Sequence, residues 1–130
     1  YLKYRTYHGA AMPVPVQEAS KVAWQDEAHV IENRRLYRKK FDLAEEILAH
    51  RLPCSTPQGA FYLWPELQTD GENFTKALYE SQNVLVLPGS FLSRPHEGED
   101  PGKNHVRIAL VADLNTCKEA LQRIACFIDG

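Results

Sequence analysis

No uninterrupted apolar run in this 130-residue chain approaches the ~20 residues that a bilayer-spanning helix needs. No basic stretch followed by an apolar one opens it, so the pattern of a secretory leader is not visible there. Cysteine is scarce. Cys54, Cys117 and Cys126 are odd in number and far apart, which argues against a disulfide framework and for a reducing, cytoplasmic setting. Neither sign of charge is in excess, with 15 Lys and Arg against 17 Asp and Glu, so neither a nucleic-acid nor a membrane-surface partner is expected. Seven Gly and eight Pro are too few for a collagen-like or low-complexity chain. Catalytic signatures are missing as well. Ser90 follows Pro88-Gly89 without the Gly-x-Ser-x-Gly elbow of a nucleophile. The same turn has one Gly and no following Lys, so it is not a phosphate-cradling loop. No cysteine has a neighbouring His that suggests a thiolate–imidazole pair, and all three read as small buried hydrophobes. The chain also opens at Tyr1 without an initiator Met, on Tyr-Leu-Lys-Tyr-Arg-Thr-Tyr, which reads like mid-protein sequence and suggests a piece of something larger.

What is present describes one domain. A chain of this length with 44% hydrophobic residues buries roughly two-thirds of its unfolded surface around a single core. Gly9, Pro13 and Pro15 bar a continuous helix through the first residues. From about Val16 to Trp24 the sequence is rich in helix formers, and Asp26 interrupts it. Val30, Tyr37, Phe41, Ala44 and Leu48 then recur at helical spacing, with Ile31 and Ile47 widening the stripe, and this long helix ends before Pro53. About 22 residues of helix span roughly 33 Å. Ala60–Trp64 reads as an aromatic strand stopped by Pro65. A short helix follows Asp70 through Phe74, Ala77, Leu78 and Ser81. Val84–Leu87 is an apolar strand closed by Pro88-Gly89, and 93–105 is a polar loop full of helix breakers. Val106–Leu110 is a further strand, and Asp113 or Asn115 caps a last helix with Leu121, Ile124, Ala125 and Ile128 on one face. The last two strands are joined by a loop, which predicts an antiparallel pair. The class is therefore α+β: a small, mostly antiparallel sheet packed against helices and preceded by a long helix.

Arg107 is the residue that asks for an explanation. Val106, Ile108 and Leu110 point to one face of their strand, and Arg107 points to the other beside Ala109. A guanidinium among β-branched residues must reach solvent or meet an anion, because burying it unpaired is expensive. Two readings stand side by side: an edge-strand Arg paired with a surface Glu, or a planar fork that takes a carboxylate through two parallel hydrogen bonds. Metal-capable side chains gather in His96, Glu97, Glu99, Asp100 and His105, but they follow no ligand spacing and sit among Pro and Gly in an open, solvated loop. The basic run Arg34, Arg35, Arg38, Lys39 and Lys40 is interleaved with Glu32, Asp42, Glu45 and Glu46, as on a solvated mixed-charge helix face.

Several stretches, taken in order, resemble the C-terminal part of fold-type I, class I/II pyridoxal-phosphate-dependent aminotransferases. Pro13-Val14-Pro15-Val16-Gln17-Glu18-Ala19 is similar to that family's Pro-x-x-x-Gln-x-Ala helix entry. His29-Val30 through Arg34, Tyr37, Arg38 and Leu48 resembles its long helix. Gly59–Trp64 resembles its Gly-aromatic strand, and Val84–Phe91 its Val-x-x-x-Pro-Gly-Ser-x-Phe strand and turn. Val106-Arg107-Ile108-Ala109-Leu110 is similar to the strand with the carboxylate-binding Arg. Tyr4–Gly9 and Asp100–Ala112 further resemble the N-succinyl-L,L-diaminopimelate aminotransferase subgroup, enzymes of lysine biosynthesis. One departure is Leu92, where many relatives carry Gly after the aromatic residue.

The resemblance implies a small domain over 1–130, with 1–26 as connecting segment and helix and 27–130 as the small domain proper. It implies Arg107 as the anchor of the substrate's α-carboxylate, with Phe61, Tyr62, Ser90 and Phe91 as pocket lining. It implies amino-acid and 2-oxo-acid substrates, pyridoxal 5'-phosphate held mainly by a large domain outside these residues, and a homodimer for the full-length protein. The family's Schiff-base Lys lies upstream of the Pro-x-x-x-Gln entry. Lys3 lies too close to that entry and lacks the flanking context, so no catalytic residue is assigned and the 130 residues alone are expected to be inactive. A stand-alone α+β module that binds a small molecule or a partner without catalysis is the competing expectation.

Overall fold

The computed structural model describes residues 1–9, 11–52 and 54–130. Their contacts divide into two units, Tyr1–Arg34 and Arg35–Gly130. The first unit holds α1 (Leu2–Arg5), α2 (Val14–Gln25) and the opening turns of α3 (Ala28–Leu48). The helix α2 starts two residues earlier than its sequence pattern suggests. Pro13 occupies the cap, and Pro15 falls in the first turn, where a missing N–H costs nothing. Asp26 ends α2 in an extended conformation and its carboxylate accepts from the Ala28 N–H at 3.2 Å, so the residue that interrupts one helix starts the next. No side chain of α1 or α2 is buried. Trp24 is 84% exposed, and Ile31 of α3 is 64% exposed, so Ile31 does not join the buried stripe to which the periodicity assigned it.

The second unit holds the rest of α3, β1 (Tyr62–Leu63), α4 (Gly71–Gln82), β2 (Leu87–Pro88), a 3-10 turn (Gly89–Phe91), β3 (Val106–Ala109) and α5 (Leu114–Asp129). In α3 the periodic residues Phe41, Ala44 and Leu48 are buried, and Tyr37 and Ile47 pack partly against them. The helix stops at Leu48, with Pro53 outside the described residues. Asp70 caps α4 by accepting from the N–H groups of Glu72 and Asn73 at 3.0 and 3.1 Å. The inward face of α4 is Gly71, Phe74, Thr75 and Leu78, while Ala77 and Ser81 lie outside. Asp113, the first of the two predicted caps, takes the same role for α5, whose buried face is Cys117, Leu121, Ile124 and Ala125.

The sheet has the order β1-β3-β2 with both pairings antiparallel. Tyr62 lies opposite Ala109 and Leu63 opposite Ile108; across the other edge Leu87 faces Arg107 and Pro88 faces Val106. Pro88 sits on an outer strand, where a missing donor is tolerated. The strands are shorter than their apolar runs. Val84, Leu85 and Val86 precede β2 without a strand partner, and Phe61 precedes β1 although its carbonyl still accepts from the Leu110 N–H at 2.9 Å. Val106, Ile108 and Leu110 go inward against Leu78, Leu121 and Ile124, and together these side chains form the dense centre of the core.

The polar loop 93–105 is a built structure rather than an open one. Asp100 accepts from the Ser93 hydroxyl and from the Gly102 N–H, the latter at 2.9 Å. Lys103 and Asn104 offer carbonyls to the N–H groups of Gly71 and Leu67 at 2.8 and 2.7 Å. Gly102 is pressed so closely on the Gly89 carbonyl and the Ser93 hydroxyl that any Cβ there would overlap both. Leu92 has φ −111° and ψ −24°, a conformation open to any residue, which is why Leu is accommodated where the resemblance expects Gly. Of the cysteines only Cys117 is buried; Cys54 is half-buried and Cys126 exposed, so Cys126 does not behave as a core hydrophobe. Among the described residues no helix is long and apolar enough to cross a membrane.

Two substitutions test this packing. Leu121→Ala, at a site 1% exposed, is expected to cost about 2–5 kcal/mol in chemical denaturation. Gly102→Ala is expected to cost about 1–3 kcal/mol through overpacking against Gly89. A Gly102→Ala chain as stable as the parent would contradict the close approach.

Candidate functional site

Because β3 is the central strand, Arg107 is not on an edge, and the edge-strand alternative from sequence does not hold. Among the described residues no hydrogen bond or ion pair joins Arg107 to a carboxylate, so the surface-Glu pairing is absent as well. Its Nε is buried with no hydrogen-bond partner, and its Cζ stands 5.6 Å from the centre of the Tyr62 ring. That diagonal meeting follows from the register. Tyr62 pairs with Ala109, and Arg107 is two residues away on the same face.

The next rung of the same face repeats the pattern. The rings of Trp64 and His105 stack at 5.5 Å with planes 16° apart, and the His105 Nδ1 is also buried without a partner. Two-residue spacings on two paired strands thus bring Tyr62, Trp64, His105 and Arg107 together, with Leu87 across the other edge of β3. Arg107 stands out from the residues alone and Tyr62 only through the family resemblance, while Trp64 and His105 carry no site role in either reading. The alternation of 62/64 with 105/107 is the signal that could have found them. Phe61 meets Tyr62 edge to face at 5.5 Å. Ser90 is committed elsewhere, donating to Glu72 at 2.7 Å, and Phe91 is 67% exposed in the 3-10 turn. Arg107 also borders a groove of ≈ 340 Å³ between 84–87, β3 and α5, whose largely apolar walls are mostly core residues such as Val86, Ile108, Leu110 and Leu121.

The remaining candidates have structural explanations. Asp100 holds the loop together, and the hydroxyl of Ser93, with the Gly102 N–H, holds its carboxyl below the usual carboxylate range. Among the described residues no group of three or more His, Cys, Asp or Glu side chains is placed to hold a metal ion. Lys40, in the basic run, turns inward: its Nζ donates to the Leu110 carbonyl at 2.9 Å and lies 4.7 Å from the Tyr37 ring centre. Burial pushes the Cys54 and Cys117 thiols up, which disfavours the thiolate form that nucleophilic chemistry requires.

What the arrangement offers chemically is a cation aimed from the middle of a sheet, with flat aromatic neighbours and no internal counter-ion. An anion with a planar two-oxygen head fits that donor set. Among the described residues, the paired positions on the face of Arg107 hold one carboxylate, Glu66 opposite His105, and no amine that would hold an aldehyde cofactor.

Comparison with known proteins places these features in context. The sequence profile described as "Aminotransferase class I and II" matches residues 4–124. An LL-diaminopimelate aminotransferase of Maridesulfovibrio salexigens is 34% identical over 115 residues, covering 85% of this chain and 28% of that protein. The crystal structure of an aminotransferase from Neisseria meningitidis superposes with a TM-score of 0.87 at 46% identity, over 98% of this chain and 33% of that one. A probable N-succinyldiaminopimelate aminotransferase from Thermus thermophilus gives 0.59 at 34% identity, over 72% and 24%. The chain therefore spans about a quarter to a third of the length of these proteins.

The loop behind β3 carries a pH prediction. Asp100, Asp113 and Asp129 all have carboxyls held below their ordinary value, by Ser93, Thr116 and Arg51 respectively. Their stabilisation is present above the unfolded value of about 3.9 and is lost as pH falls through the lower folded one. The melting temperature is expected to drop between about pH 5 and pH 3, less steeply in Asp100→Asn than in the parent. Equal slopes would remove Asp100 from the account.

Proposed function

Since this chain belongs to the class I and II aminotransferases, we propose that it forms the substrate-carboxylate-binding part of a pyridoxal-phosphate-dependent transaminase. The observation that carries the reading is Arg107: a central-strand guanidinium that finds no carboxylate partner among the described residues. The amino donor and the 2-oxo acid both carry a carboxylate next to the reacting carbon, so one anchor serves both halves of a transamination. Two parallel hydrogen bonds from the fork remove the rotation that a single contact would leave, and they hold the Cα–H bond in a fixed direction. That is a positioning effect, and it is what this chain's own residues contribute. Pyridoxal phosphate, when bound, supplies the electron sink for the chemistry at that carbon. We assign its binding mainly to residues outside these 130, because the face around Arg107 offers no amine that would hold its aldehyde.

The substrate class within this reading is an N-acylated or free diaminopimelate, with succinyldiaminopimelate as the specific candidate in lysine biosynthesis. Its support is the resemblance of Tyr4–Gly9 and Asp100–Ala112 to that subgroup, together with the names of the relatives in Maridesulfovibrio and Thermus. Residues 27–130 serve as the small domain and 1–26 as its connection. The working protein is a cytoplasmic homodimer, and the 130 residues by themselves do not transaminate.

Two experiments test this. In the protein expressed from its complete reading frame, Arg107→Ala is expected to raise KM for the amino acid by about ten- to a hundredfold, the value of one charge-assisted pair. Arg107→Lys, which keeps the charge and loses the fork, is expected to fall between. Unchanged kinetics in both variants would remove Arg107 from the site. Incubation of the 130-residue chain with pyridoxal phosphate, followed by borohydride reduction and digestion, is expected to yield no single site-specific phosphopyridoxyl-lysine. Such a lysine with measurable amino transfer would refute the claim that these residues are inactive alone.

A further inference from the structure

The guanidinium of Arg107 has two unlike ends. Among the described residues its Nε is shut away from water with no hydrogen-bond partner, whereas its terminal nitrogens are neither bonded nor buried. A carboxylate can approach a guanidinium side-on, through Nε and one Nη, or end-on, through both Nη atoms. The buried Nε closes the first approach and leaves the second. A buried N–H without a conventional partner needs some compensation, and here the facing group is the Tyr62 ring, 5.6 Å from Cζ, whose negative π-face attracts the cation. Tyr62 is itself half-buried and braced edge to face by Phe61. The other flank of Arg107 is Leu87, which offers bulk but no charge.

We propose that Tyr62 is the positioning residue of this site: its ring acts as a shelf that holds the Arg107 fork in the end-on attitude in which it takes the substrate carboxylate. The proposal rests on the transaminase reading given above. Its content is separate, because it assigns the orientation of the anchor to a residue that need not touch the substrate. The shelf acts through its π-face and not its hydroxyl, for which no hydrogen-bond partner is found among the described residues. It also predicts where the effect falls. A floppy Arg107 binds carboxylate less well but, once loaded, presents the same reacting carbon.

The test uses the protein expressed from its complete reading frame. Tyr62→Leu is expected to raise KM for the amino donor and for the 2-oxo acid by about three- to tenfold, the range of a partly desolvated cation–π contact, with kcat within about twofold. Tyr62→Phe, which keeps the ring, restores most of that KM. In an Arg107→Ala background Tyr62→Leu adds nothing, since the group it positions is gone. If Tyr62→Leu does not fold, as thermal melting will show, Tyr62→Met takes its place, keeping bulk without a π-face. Parallel loss of kcat and melting temperature with KM unmoved would overturn the proposal, as would a Tyr62→Phe enzyme as impaired as Tyr62→Leu. Full additivity with Arg107→Ala would overturn it too. If Arg107→Ala itself left KM unchanged, the carboxylate-anchor reading would fall first; if only Tyr62→Leu did, the shelf alone would fall.

Discussion

Val106–Ala109 is paired on both edges, and one of its faces is filled by the core while the other carries a cation. A slip of one residue would drive Arg107 into the apolar layer formed with Leu78, Leu121 and Ile124 and would expose Val106 and Ile108 to water. The cost of burying an unpaired guanidinium makes that register far less stable than the native one. The core and the candidate site are therefore two consequences of one alternation. The apolar side of the strand holds the cation in place, and the cation's side has room for a ligand.

That strand needs a fixed starting point, which the loop before it provides. The Gly102–Gly89 approach, the Asp100 turn and the backbone bonds from Gly71 and Leu67 deliver the chain to His105 at a set height above α4. Each of these is local and polar, so together they fix position without adding apolar area. The energy comes from elsewhere, mainly from α4 and α5 closing over the inner face of the sheet. Arg51 and Asp129 add a clasp between the turn after α3 and the end of α5, with N–O separations of 2.7–2.8 Å.

The chemistry of the site follows from what β3 does not have. A sheet-centre Arg without an internal carboxylate keeps its hydrogen-bonding capacity for a ligand, and aromatic neighbours restrain it without neutralising it. Trp64 over His105 extends the same flat surface by one rung. The first unit stands in contrast: its helices satisfy their own backbones through Pro13, Gln17 and Asp26, yet bury none of the side chains of α1 or α2.

Local rules were readable directly from the residues. The helix opening after Asp70, the cap at Asp113, the Phe41–Ala44–Leu48 stripe, the shared face of Val106, Ile108 and Leu110 and the antiparallel pairing across the 93–105 loop all depend on a few neighbouring positions, where periodicity and capping chemistry act. Ile31, Cys126 and the unpaired residues Val84–Val86 escaped those rules, because an apolar side chain is buried only if another element arrives to cover it, and a strand exists only where a partner meets it. The same limit applies to the site. The alternation of Val106–Leu110 determined that Arg107 leaves the core. Only the tertiary structure decided that its strand lies in the middle of the sheet, that no Glu among the described residues pairs with it and that Tyr62 lies beside it. Strand order and register are set by contacts between residues about 45 positions apart for β1–β3 and about 20 apart for β2–β3, and no short-range pattern encodes them.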